Sequence, residues 1–382
     1  MYIYYIVLLI SLVFSIMANN AFSKNEEKKG IIYLIFMIIP LVILAGLRSI
    51  HIGFDVDLYA VRIFNKVSDM SLSELFSCFQ TETLESGFVF VIYLLCKIVK
   101  DIHFVLFGLQ LLISLSFIRL VYFYRKKVSI SIMLVIYFCT LYIRSYDLLR
   151  QGLAIAAVMQ MLIFYEKKNY IKCFLYFILA LTLHNSAIFA IIIPLVMMLC
   201  DTKKINKKTK NIINLFCIVL FTLIVYNYQN ISYALYNAGV LSHKYLFYID
   251  ENSSFMYSKV DIRWSITIIK AVIILVSFIY LNVNNISLEE KNENRKWFIF
   301  LLYDFVINFL TFKIRNFDRI ALYFYYPSIF IFCPQLVKIA KNDKYSRVIV
   351  GILIAGLFLA DFTEKMITNR YNLNPYIWMF NE

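Results

Sequence analysis

Apolar runs of roughly 14–20 residues recur from one end of this chain to the other, separated by short polar stretches. This feature restricts the fold more than any other. A helix needs about 20 residues to cross a hydrocarbon core about 30 Å thick. Hydrophobic residues make up 62% and charged residues 16% of the chain, against about 45–50% and about 25% in soluble domains. The chain therefore reads as an all-α, polytopic integral membrane protein, a single transmembrane domain over 1–382. About twelve spans are predicted. They lie near 2–18, 31–47, 103–123, 128–143, 149–165, 170–183, 185–200, 211–229, 264–282, 297–312, 319–337 and 346–362. No basic residue precedes the first run, so it reads as a retained span and not a cleaved leader.

The loops alternate in charge. One set carries Lys24, Lys28 and Lys29; Arg125, Lys126 and Lys127; Lys167 and Lys168; the lysines of 203–210; Lys291, Arg295 and Lys296; and Lys338, Lys341, Lys344 and Arg347. Short basic loops favour the cytoplasm, which puts both termini outside. The formal charge of +14 is accounted for by this bias and does not call for a nucleic-acid partner. If residues 86–100 also crossed, the lysine-rich loop at 203–210 would face out. That segment is therefore expected to enter or lie on the outer leaflet without crossing. The outer stretches 48–102 and 230–263 are expected to form an external cap, the second rich in tyrosine for the membrane interface or for stacking on sugars.

Residues 170–200 are an almost unbroken apolar run with LHNS, 183–186, at its middle, and lysines flank both ends: Lys167, Lys168 and Lys172, then Lys203 onward. Two basic ends on one side require a hairpin, with Asn185 or Ser186 capping the returning helix. Arms of about 14–17 residues span roughly 21–25 Å, less than the core. The turn is then recessed, and irregular backbone at that depth must line a cavity. His184 is expected to sit in a cavity open to the outside.

Motifs for nucleotide-driven or zinc chemistry are missing: no GxGxxG, no phosphate-loop lysine, no GxSxG and no HExxH. The seven cysteines are scattered with no CxxC, so neither a disulfide framework nor a metal site is expected. What remains is polar groups at span ends. GLRSIHIGFDVDLY, 46–59, holds Arg48, His51, Asp55 and Asp57, with Arg62 just beyond. Arg144 and Arg150 bracket the turn in YIRSYDLLRQGLAIAAV; Arg315 and Arg319 lie in KIRNFDRIALYFYY. Guanidinium groups grip phosphate oxygens in pairs, and Arg150 and Arg319 stand near helix starts that favour anions. Arg48, Arg144, Arg150, Arg315 and Arg319 are thus candidates for an anionic substrate; contacts to lipid phosphates or nearby acids are the plainer reading. His184 is the first candidate base, with Asp55 and Glu85 as competitors. His51, His103 and His243 have weaker claims, and Asp57 is expected to face water. Lys270 and Asp304 fall inside spans and are expected to pair.

GLR at 46–48 with GFDVDLY at 53–59, ESGF at 85–88, LRQGLAIAA at 149–157, A…HNSA at 180–187 and RNFDR at 315–319 occur in an order that resembles the EpsG-like branch of the Wzy-type polysaccharide polymerases. Ser86 stands where that family more often has proline. The resemblance implies a nucleotide-sugar-independent glycosyltransferase of the bacterial cytoplasmic membrane, its site facing the periplasm or cell exterior. It would move a growing glycan from undecaprenyl pyrophosphate to the non-reducing end of a new lipid-linked repeat unit, yielding O-antigen, capsule or exopolysaccharide. No cofactor is implied; the partners are the lipid-linked oligosaccharide, membrane lipids, a chain-length regulator and a flippase. A glycan ligase using the same donor, a transporter of lipid-linked units and a structural scaffold are the alternatives.

Overall fold

The computed structural model describes residues 1–82, 84–202, 207–239, 264–282, 288–310, 317–339 and 344–381. The described residues are helical nearly throughout, and they fall into two units. The first comprises Met1–Ala190 with Ile329–Glu382; the second is Ile191–Ser328.

The first unit begins with a helical hairpin. Helix α1 (Tyr2–Ser23) and α2 (Glu27–Gly46) are joined by a tight turn whose Asn25 takes φ 60°, a left-handed conformation that asparagine tolerates better than most residues. A π-helical turn (Val56–Val61), α3 (Arg62–Val67), α4 (Leu72–Thr81) and α5 (Ser86–Ile98) follow. The predicted outer stretch 48–102 is therefore largely helical. α4 starts on a capping box: Ser71 accepts from the Glu74 amide while the Glu74 carboxylate takes the Ser71 amide. α5 has 13 residues, about 20 Å at 1.5 Å per residue, which is well short of a hydrocarbon core.

Next come α6 (Ile102–Tyr124), α7 (Ile130–Tyr137) running into a second π-helical turn (Phe138–Tyr142), α8 (Leu149–Glu166) and α9 (Tyr170–Leu183). α8 is the core of this unit and is buried along almost its whole length. Its small residues Gly152, Ala154, Ala156 and Ala157 let α6 and α9 approach closely on either side. Buried polar groups close on one another: the Gln110 amide donates to the Tyr137 hydroxyl at 3.3 Å and accepts from Ser145 Oγ at 2.8 Å.

The second unit holds α10 (Ile192–Asp201), α11 (Lys207–Tyr226), α12 (Tyr228–Asn237), α13 (Trp264–Asn282) and α14 (Leu288–Leu310). In it Lys270 Nζ donates to Asp304 Oδ1 at 2.7 Å with both residues buried, the pairing expected for two ionisable groups in apolar helices. Helix α15 (Phe317–Ile339) begins in the second unit and ends in the first, where α16 (Lys344–Ile367) completes the bundle.

Among the described residues five helices are long and apolar enough to cross a membrane: Tyr2–Ser23, Glu27–Gly46, Ile102–Tyr124, Asp318–Val337 and Tyr345–Ile367. Five further apolar helices are shorter, among them Ser86–Ile98 and Tyr170–Leu183. Isoleucine and leucine side chains such as Leu9, Ile35, Ile352 and Leu353 project from these helices unburied. A surface of that kind is stable in lipid and costly in water. The protein is an integral membrane protein.

The predicted break at LHNS is present, but its capping differs from expectation. α9 ends with His184 as its extended C-cap (φ −160°, ψ 124°), and a 3-10 segment, Asn185–Ile191, precedes α10. Ile191, not Asn185 or Ser186, is the cap of the returning helix. The Asn185 amide is engaged elsewhere, by Glu85.

Candidate active site

Three of the predicted groups meet at one carboxylate. Glu85 precedes α5 as its N-cap residue. Its Oε2 accepts from Arg150 Nη1 at 2.8 Å; its Oε1 contacts His184 Nδ1 at 3.0 Å and accepts from the Asn185 amide at 3.2 Å. The three residues come from sequence positions 65 and 99 apart. Two local features bring them together. The first is Gly87: a Cβ there would lie 2.5 Å from Thr182 Oγ1 and 2.7 Å from the Thr182 carbonyl. Only glycine lets the start of α5 rest directly on the last turn of α9, beside His184. The second is that Arg150 stands at the start of α8, one residue past Leu149.

The side chains of Glu85, Arg150 and His184 retain 6%, 11% and 15% of their accessibility. They are withdrawn from the surface yet not sealed, as a group that must meet a substrate atom requires. Burial alone would push the Glu85 carboxyl up. The hydrogen bond from His184 and the charge of Arg150 outweigh it and hold the group well below the usual carboxylate range. A carboxylate so stabilised as an anion is a poor proton acceptor and a good anchor for an imidazole.

Arg150 is gripped from two more directions. Its guanidinium carbon lies 4.0 Å from the centre of the Tyr59 ring, on the first π-helical turn. Asp55, just before that turn, is within electrostatic reach of Arg150. π-helical turns interrupt regular helices most often where a side chain must be re-aimed for function, and here one carries Tyr59 to Arg150. Asp57 faces water and contacts His51 Nδ1 at 3.0 Å, in keeping with its expected solvent exposure.

Arg48 and Arg144 occupy a neighbouring part of the first unit. Residues 46–55 fold against the 144–148 turn. Gly53 takes φ 92°, and a Cβ on it would lie 2.0 Å from the Tyr146 carbonyl oxygen; the Phe54 amide donates to Asp147 Oδ1 at 3.2 Å. The Arg48 guanidinium stacks 3.9 Å from the Tyr146 ring centre, and Arg48 is only 1% exposed. Its Nε and Nη1 have no hydrogen-bond partner among the described residues. Arg144 Nη1 donates to the Tyr371 hydroxyl at 2.9 Å.

Tyr371 belongs to a segment that sequence reasoning missed. Residues 370–381 lie across the 46–53 turn: the Ser49 amide donates to the Ile377 carbonyl at 2.9 Å, Met379 to Leu47 at 2.9 Å and Gly53 to Tyr371 at 3.0 Å. Tyr376 hydroxyl caps the Leu44 carbonyl at 2.6 Å. These bonds include a short antiparallel pairing of Arg48 with Trp378. The segment has neither an apolar run nor a motif; a cluster of Tyr371, Tyr376 and Trp378 among asparagines was its one signal. Arg319, half-buried near the start of α15, belongs to the second unit. Arg315 lies outside the described residues, as do His243 and most of the tyrosine-rich stretch 230–263.

The described helices and the Glu85–His184–Arg150 cluster define an integral membrane protein with an acid–imidazole–guanidinium site. The model of the EpsG family matches residues 31–378, nearly the whole chain, and the chain belongs to that family. Membership makes it a membrane glycosyltransferase of the polysaccharide-polymerase type. Among curated proteins and solved structures, nothing matches the chain.

Proposed function

We propose that this protein extends a polysaccharide by moving a growing glycan from undecaprenyl pyrophosphate to the non-reducing end of a new lipid-linked repeat unit, at the outer face of the bacterial cytoplasmic membrane. The observation that carries this reading is Glu85 holding His184 and Arg150 together. Pyrophosphate leaves readily once its charge is met, so the site must supply cations where it departs and a base where the acceptor hydroxyl attacks. With Nδ1 donated to Glu85, His184 carries its lone pair on Nε2 and takes the acceptor proton there. Glu85 acts on the imidazole as an orienting group, not as the base. Asp55 balances Arg150.

Arg150 and Arg144 meet the departing pyrophosphate, and Tyr59 and Tyr371 fix their planes. Nε and Nη1 of Arg48 have no hydrogen-bond partner among the described residues, and such a donor fork suits a phosphate oxygen. Its burial means that this part of the site must open before substrate reaches it.

Turnover of a defined undecaprenyl-pyrophosphate repeat unit by the purified protein tests the proposal. Long-chain product is expected from the wild type and none from His184→Ala or Arg150→Ala, both still inserted. Normal chain-length ladders from both variants would overturn it. Transfer of finished glycan to an acceptor other than a repeat unit would make the protein a ligase instead.

A further inference from the structure

An open groove of about 560 Å³ lies on the first unit, between α1, α7 and α16. Its walls are apolar, with Leu12, Val135, Ile352 and Leu359 among them. Its polar groups gather at one end. Arg347 stands in the first turn of α16, and Ser129 is the N-cap residue of α7. Neither side chain has a hydrogen-bond or ion-pair partner among the described residues. The Ser129 side chain does not cap its helix. Arg347 is exposed, and no acid pairs with it among the described residues.

The groove follows α16 from Arg347 to Leu359, about 18 Å at 1.5 Å per residue, which is close to the hydrocarbon depth of one leaflet, about 15 Å. An amphiphile with an anionic head and a chain one leaflet long has this shape. The charge agrees: Lys126 and Lys127 precede Ser129 in the sequence, and Lys338, Lys341 and Lys344 precede Arg347.

We propose that the groove binds one anionic phospholipid, its phosphate on Arg347 and Ser129 and one acyl chain along the apolar walls. The donor's pyrophosphate is not the occupant. Arg347 lies at the opposite end of the 24-residue α16 from Tyr371 and Arg144, about 30 Å or more away along the helix. The inference is independent of the proposed reaction.

Native mass spectrometry of the full protein, released from bilayers of equal phosphatidylglycerol and phosphatidylcholine, counts the retained lipids and identifies their headgroups. Wild type is expected to retain one lipid with phosphatidylglycerol preferred. Arg347→Gln lowers that preference about fivefold, the effect of one interfacial cation. Gly351 lines the groove, and a Cβ there would meet only Ile132 at 3.6 Å and Val337 at 3.8 Å, ordinary contacts. Gly351→Ala therefore serves as the folding control and keeps the lipid, while Gly351→Leu fills the groove and loses it whatever the headgroup. The proposal is overturned if wild type retains no phospholipid, if it retains only a polyisoprenyl lipid, or if Arg347→Gln and Gly351→Leu match wild type in lipid number and headgroup ratio.

Discussion

Replacing Glu85 with glutamine isolates the charge at the centre of the cluster. The amide keeps one acceptor oxygen, enough for His184 Nδ1 and the Asn185 amide, but turns its NH₂ toward Arg150 Nη1, donor against donor. The variant loses one charge-assisted hydrogen bond, about 1.5–3 kcal/mol, and leaves a guanidinium that is 11% exposed, with Asp55 within electrostatic reach. Breaking one side of a buried pair costs about 3–5 kcal/mol. The residual exposure and Asp55 place this case at the lower end, about 3 kcal/mol. For a unit of this size that lowers the melting temperature by roughly 6–12 °C. Cys78, Cys96, Cys139, Cys173 and Cys333 are free and buried, so a thiol-reactive dye in detergent reads unfolding directly. Arg150→Gln alone is expected to cost a similar amount, and the double variant about 2 kcal/mol less than the sum. The pH profile adds a second check. Glu85 has a depressed pKa in the folded protein, so its contribution is complete above the unfolded carboxylate value, about 4.3, and declines as pH falls through the lower folded value. Wild type should lose more stability than Glu85→Gln on acidification below about pH 4. Strict additivity of the two substitutions, with parallel acid profiles, would refute a functioning pair.

Gly53→Ala places a methyl group against the Tyr146 carbonyl at a φ only glycine adopts readily; a loss of about 1–3 kcal/mol is expected in the same dye assay, together with shortened glycan chains. Lys365→Met leaves Asp361 buried and frees the Cys139 carbonyl of the second π-helical turn, which Lys365 Nζ holds at 3.1 Å; about 3–5 kcal/mol should be lost, and Asp361→Asn added to it should restore part. Arg48→Lys keeps the charge but not the planar stack on Tyr146, so turnover should fall while insertion, read by protease protection, is unchanged.

The membrane class was legible because hydropathy depends on composition over windows, which no tertiary contact alters. The cluster was legible for a related reason. Charged groups are too costly in an apolar chain to be placed idly, so Glu85, Arg150 and His184 stood out before any fold was known. Their roles were not legible. The sequence ranks His184 first as base with Asp55 and Glu85 as competitors, and nothing in it shows that Glu85 and His184 touch. Their contact is what lets the carboxylate be proposed as the group that orients the imidazole. The capping of the returning helix was misread for the same reason: Asn185 has the side chain of an N-cap, but a 3-10 segment, Asn185–Ile191, carries the chain past it before the α-helix starts at Ile192.

The covering of Arg48 marks where sequence reasoning must stop. An arginine at the end of an apolar run reads as an interfacial phosphate contact, because local pattern gives it water or lipid heads as neighbours. Here the Arg48 guanidinium stacks on Tyr146, and the chain around it is held by residues more than 300 positions away: Trp378 pairs with its backbone, Tyr376 caps the helix before it, and Tyr371 takes Arg144. Burying a guanidinium among phenol rings is unfavourable unless something else gains by it, and Nε and Nη1 of Arg48 have no hydrogen-bond partner among the described residues. Under the proposed function the gain is a cation kept from water until an anion arrives, since a low-dielectric enclosure strengthens its hold on charge. The same tail that pairs with the Arg48 backbone also holds Arg144 through Tyr371, so displacing it changes both cations together.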